Sequence, residues 1–146
     1  MSYTERFSEQ WECIDVLYGD AVAANTESDT GYNSLANFHR VAIIIHPVDI
    51  NDNLDVDIEQ AINTAGGSAK TFHAGDHDIT VATTDTKPSV IEIQTEELDV
   101  DGGFDCLNVE VTTANTGGNG NDFAVEIWGL PRFGPASTTN LDSVTD

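Results

Sequence analysis

The chain has 146 residues, the size of one domain, and carries 26 acidic residues against 5 basic ones for a formal charge of −21. At that length one hydrophobic core, burying roughly 70% of the unfolded chain's surface, needs neither disulfides nor metal. The charge excludes direct binding of DNA or RNA, which takes clustered cations to displace counterions, because Arg6, Arg40, Lys70, Lys87 and Arg132 are scattered singly.

The predicted elements begin with a helix over residues 4–18. Phe7, Trp11, Ile14 and Leu17 or Tyr18 recur at intervals of three and four, as one helical face requires. Thr4 can cap this helix and Gly19 can end it. It is expected either to pack on the core of its own domain or to reach a neighbouring subunit as an arm. Residues 21–37 are rich in Ala, Asn, Thr, Ser, Gly and Asp and read as a loop, with one short strand near Tyr32.

From Phe38 onward the period is two. Phe38–Val48 is predicted as a buried strand ended by Pro47, which cannot donate to a central ladder. Over residues 55–62, Val56, Ile58, Gln60 and Ile62 face inward while Asp55, Asp57 and Glu59 face out. Further strands are expected over 78–83 with Ile79 and Val81 inward, over 89–95 with Ile91 and Ile93 inward, and over 104–112 with Leu107, Val109 and Val111 inward. In a last strand Phe123, Val125 and Ile127 alternate with Ala124, Glu126 and Trp128. The turn-rich stretches AGGSA, AGDHD, DTKPS, DVDGG and TGGNGND separate them. Short strands without long helices between them predict an all-β fold, an antiparallel β-sandwich of jelly-roll or Greek-key type with an N-terminal helix or arm. The organisation expected is an arm and loop over 1–31, the sandwich over 32–136 and a polar C-terminal tail over 137–146, extended or mobile unless a partner holds it.

Cys13 and Cys106 are too few for a disulfide framework or a zinc knuckle and read as small buried side chains. The longest apolar run, Val41–Ile45, is far too short for a membrane span. The opening MSYTERFSEQ carries acids and has no apolar core of a secretory signal, so synthesis and use in a cytoplasm, or on a particle assembled there, are expected.

In DINDNLDVDIEQ, Asp49, Asn51, Asn53, Asp55 and Asp57 alternate as in a calcium loop, but Leu54 stands where the sharp turn needs Gly, and Gln60 where a bidentate Glu belongs. A solvated turn leading into an acid-faced strand is the expectation. Glu96, Glu97, Asp99, Asp101 and Asp105 form a second acidic cluster; His73, Asp76, His77 and Asp78 would need a further ligand to hold a metal. No hydrolase elbow, zinc-protease, phosphate-loop or dinucleotide motif occurs, so no catalytic, cofactor or metal residue is nominated. The acid excess reads as solubility or a saline habitat, or as a match to a basic partner. More informative is VEIWGLPRFGPAS, where Trp128, Leu130, Pro131, Arg132 and Phe133 form an aromatic and proline segment. Large aromatics and Arg are enriched at interface centres. The predicted protein-interface residues are therefore Phe7, Trp11, Ile14, Tyr18, Trp128, Leu130, Arg132 and Phe133, against the plainer reading of helix and terminal strand as core-closing elements.

Taken together, YNSLANFHRVAIII, DVDIEQA, IEIQTEELDVDGGFDCLNVEVTT and RFGPASTTNLDSVTD resemble a family of small virion proteins of tailed bacteriophages and prophages that accompany capsid and head genes. The resemblance runs from about Tyr32 to the end, and EELDVDGGF and RFGPAS are its most specific parts. It implies a head decoration, or cement, protein bound to the major capsid protein on the outer shell of a virion assembled in the host cytoplasm. The strongly acidic balance departs from a typical member. Self-association is expected, a trimer by lattice symmetry, and neither nucleic acid nor membrane is an expected partner. Two further readings remain: a head-to-tail connector or tail-tube protein, and a carbohydrate-binding adhesion sandwich.

Overall fold

Strands of period two have one apolar face, and they bury it by stacking sheet on sheet. In the computed structural model, which describes residues 6–115 and 117–144, they do so as two antiparallel sheets. A single helical turn, α1 (Phe7–Gln10), precedes β1 (Glu12–Val22), β2 (Glu27–Asp29), β3 (Asn33–Ser34), β4 (Phe38–Asp49) and β5 (Leu54–Ala61). There follow β6 (Lys70–Thr71), β7 (Ile79–Val81), β8 (Ser89–Gln94), β9 (Cys106–Thr113) and β10 (Asn121–Pro131). The first sheet runs β1-β10-β4-β8. In the second, β2 and β3 line one side of β9, β5 pairs with its other side, and β6 and β7 line the far side of β5.

With β2–β3 and β6–β7 each counted as one interrupted strand, the two sheets read 1-8-3-6 and 2-7-4-5. That is the order of a jelly roll. Only the β5–β6 hairpin stays within a sheet; every other connection between these positions crosses the sandwich.

The core lies between the sheets. Ile43, Ile45, Val125 and Ile127 of the first face Leu54, Val56, Ile58, Leu107, Val109 and Val111 of the second, all fully buried, each worth about 1.5–3 kcal/mol in transfer from water. Ile91, Ile93 and Val81 also turn inward, as their alternation predicts, and Ile79 packs against the core half-buried. Gln60 is buried too, its side-chain carbonyl accepting the Asp99 N–H at 2.8 Å. Ile62 does not follow, because β5 ends at Ala61 and leaves it 41% exposed.

Three expectations are corrected. The helix over 4–18 shrinks to one turn, and residues 12–22 form a strand of the first sheet; the Thr4 cap lies outside the described residues. The cause is a bulge between Cys13 and Asp15, where one extra residue breaks the alternation. Ile14 and Leu17 thereby both turn inward three residues apart, a spacing that imitates a helix. Gly19 ends nothing: it lies opposite Phe123, whose ring would be 2.4 Å from any Cβ there. Second, Pro47 does not stop β4, which runs on to Asp49. Pairing with β8 has ended at Ile45, and Pro47 sits at a register irregularity against Phe123, where a missing donor is tolerated. Third, residues 12–31 are not arm and loop, since β1 and β2 belong to the sheets.

Candidate docking surface

Alternation places Trp128 and Leu130. With Phe123, Val125 and Ile127 in the core, the intervening residues of β10 face outward from the first sheet. Register then chooses their neighbours: Trp128 stands between Cys13 and Ala42, and Leu130 beside Arg40. Across this end of the sheet lies α1, closed by the Trp11 N–H on the Phe7 carbonyl at 2.8 Å and by the Glu9 carboxylate on the Arg6 N–H at 2.9 Å. It sets the Phe7 ring 5.0 Å from Trp128 and 6.5 Å from Trp11. The Arg40 guanidinium lies 5.5 Å from the centre of the Trp11 ring, a cation–π contact.

Beyond β10 the chain is pinned by Arg132. Its N–H donates to the Asn37 carbonyl at 2.7 Å, its Nε to the Phe38 carbonyl at 2.6 Å and its Nη2 to the hydroxyl of buried Thr95 at 2.7 Å. A groove of about 710 Å³ opens here, lined by Trp11, Arg40, Leu130, Pro131 and Pro135 together with Glu9, Gln10 and Gly134. On its β8 side a pocket of about 340 Å³ is lined by His39, Arg40, Gln94, Thr95, Glu96, Leu130 and Arg132. Phe7 and Phe133 stay 59% and 78% exposed.

Six of the eight nominated residues therefore gather at one end of the first sheet: Phe7, Trp11, Trp128, Leu130, Arg132 and Phe133. Ile14 packs into the core beside Gly129. Tyr18 is 76% exposed but stands opposite Ala124, four residues from Trp128, or about 13 Å along the strand. Arg40 and His39 were missed. The outward phase of Arg40 was readable from inward Val41, but its pairing with Leu130 is a matter of register. The tail is held as well. The Ala136 N–H donates to the Glu9 carbonyl at 3.1 Å, the Ser137 N–H to the Glu12 carboxylate at 3.1 Å, and the Asn140 amide to the Cys13 and Ile14 carbonyls at 2.9 Å each.

The outer face of the second sheet has the opposite character. Asp29, Glu110 and Asp57 stand in one row across β2, β9 and β5, and Glu27 and Asp55 flank Thr112 in the next. Half-buried Glu110 is pushed up to about 7, first by desolvation and then by Glu59, Glu27, Asp29 and Asp57. Asp57 is raised by desolvation and by Asp78, Asp55, Glu59 and Glu27. The Tyr32 hydroxyl is raised as well, by desolvation and by donating to the Glu59 carboxylate.

The sequence motifs that invited metal serve other ends. Asp52 is fully buried and accepts the Gly117 and Gly118 N–H groups, the latter at 3.1 Å. The Asn51 amide donates to the Asn119 and Gly120 carbonyls. Asp99 takes the Gly102 N–H and Lys70, while Glu97 accepts the Gln94 N–H. The His73 and His77 rings stand 5.5 Å apart, but Asp78 accepts the Ile58 N–H. Among the described residues no three His, Cys, Asp or Glu side chains converge on a point that can hold a metal ion. Cys13 and Cys106 are buried, and burial raises both thiols, Cys106 to about 11. No described helix is long and apolar enough to cross a membrane.

No family model matches the chain, and no curated protein is similar to it at a meaningful level. Among solved structures it is similar to one of Bacillus endospore appendages, described as a novel family of disulfide-linked pili. The two share 13% identity and a TM-score of 0.40 over 90% of this chain and 99% of the other, a likeness too distant to carry function.

Proposed function

We propose that this chain is a structural subunit that docks on a larger protein assembly through the aromatic end of its first sheet. Within that reading it is a decoration protein on the outer surface of a tailed-phage head, with the major capsid protein as partner. The observation that carries it is the meeting of α1 with β10 and the segment after it, from opposite ends of the sequence, around one groove, with Phe7 and Phe133 left largely exposed at this end of the sheet. Exposed rings beside Arg, Pro and Leu are what interface centres are made of. The segments resembling phage virion proteins supply the class of partner. The jelly roll is compatible with it without singling it out, since viral capsid and lectin domains both use that architecture. Weak binding by each copy suffices when many neighbours on one lattice act together.

The test is a Phe7→Ser/Phe133→Ser double variant. Phe133 is largely exposed and Phe7 gives up only its ring contacts with Trp11 and Trp128, so stability should fall by about 1–2 kcal/mol, while occupancy on heads, read by cryo-electron microscopy, falls at least tenfold. Full occupancy by the variant overturns this surface; purified heads that lack the polypeptide overturn the virion assignment. Copy number separates decoration, with hundreds per particle, from a connector or tail-tube ring.

A further inference from the structure

The cations of this chain meet different fates. Lys70 pairs with Asp99 at 2.5 Å, whereas Arg40 and Arg132 form no ion pair among the described residues, in a chain with 26 acids. The fold instead holds them beside each other. Arg40 is steadied by the Trp11 ring and Arg132 by the Phe38 carbonyl and the Thr95 hydroxyl, and both line the pocket of about 340 Å³ with His39, where Glu96 is the one acid. Two like charges sharing one pocket repel, and a carboxylate entering between them relieves the repulsion and gains charge-assisted hydrogen bonds.

We infer that the Arg40–Arg132 pocket receives carboxylates of a second copy of this chain, from the acidic outer face of that copy's second sheet. Charge complementarity picks this occupant. The rows Asp29–Glu110–Asp57 and Glu27–Thr112–Asp55 bring five carboxyl groups together and contain no Lys or Arg. Pocket and acidic face belong to different sheets of one sandwich, so the contact joins two different surfaces and runs head to tail. The pocket lies toward β8, leaving Phe7 and Phe133 available for docking. The inference goes beyond the decoration reading and does not need a shell, so the two fail separately.

Sedimentation of the purified full-length protein in 0.15 M salt tests it. Association should grow with concentration up to about 1 mM, the range of weak contacts. Arg40→Ala removes an exposed side chain that makes no hydrogen bond among the described residues and should weaken association at least tenfold, as should Glu27→Lys/Asp29→Lys, with unchanged circular dichroism. An equimolar mixture of the two variants retains one competent contact and should form dimers and nothing larger. A wild-type chain that stays monomeric to about 1 mM, or Arg40→Ala associating like wild type, overturns the pocket. A mixture without dimers overturns the acidic face as its occupant. Association lost in Phe7→Ser/Phe133→Ser but kept in Arg40→Ala also overturns the proposal and makes the aromatic surface the self-contact.

Discussion

Asn121, fully buried, ties three parts of the chain together. Its side-chain carbonyl accepts the Asn51 and Asp52 N–H groups at 2.8 Å each, and its amide donates to the Val22 and Gly118 carbonyls at 3.0 and 3.1 Å. The end of β1, the β4–β5 corner and the β9–β10 loop thus share one amide. Gly117 permits the closeness, because a Cβ there would fall 1.7 Å from the Asn51 carbonyl oxygen. Removing this amide leaves buried backbone groups unpaired, at roughly 1–3 kcal/mol each before relaxation. Asn121→Ala should therefore lower stability by about 3 kcal/mol in urea unfolding, and exposed Asn51→Ala by about 1 kcal/mol or less. In the sequence Asn51 looked like a calcium ligand. Carboxylate and amide side chains serve a metal and a backbone corner equally well, and spacing alone does not tell which one receives them.

At the scale of elements, the acid-faced strand was legible because alternation fixes which residues share a face. Which other acids it would meet was not, since Glu27 and Asp29 arrive on β2, from a stretch that read as loop. The resulting rows have a consequence for pH. Glu110 has a folded pKa of about 7, above the ordinary carboxylate value, so between about 4.5 and 7 the folded state holds a proton that the unfolded state has lost. Its contribution is most favourable at acid pH and is lost as pH rises through that window; Asp57 shifts in the same direction. The melting temperature should be several degrees higher at pH 5 than at pH 8, and Glu110→Gln should flatten the difference. A melting temperature that rises from pH 5 to pH 8 would contradict this account. The helical reading of residues 12–18 failed for a reason of the same kind. A bulge is a property of strand pairing, and its extra residue is invisible until the partner β10 is in place.

For the whole molecule, the jelly-roll order makes β1 and β10, from the two ends of the chain, direct neighbours. Truncation therefore has a sharp boundary. Deletion through residue 10 removes α1 and spares every described strand, and should leave a cooperatively unfolding sandwich without its docking end. Deletion through residue 18 also removes most of β1, bares the edge of β10 and uncovers Val125 and Phe123, and should give aggregated protein in size-exclusion chromatography. The same adjacency brings Phe7 to Trp128 and lets the tail amide of Asn140 cover the start of β1.

By itself the sequence determined the all-β class, the inward residues of β4, β5, β8, β9 and β10, the acid coat and the aromatic character of both ends, because these depend on spacing along one strand and on composition. Tertiary structure alone decided that residues 12–22 are a strand, that the two aromatic ends make one surface, that Arg40 and Arg132 share a pocket, and that Asp52 and Asn121 close a corner. Those outcomes depend on register between strands distant in sequence, and register is set by the packing of the whole core.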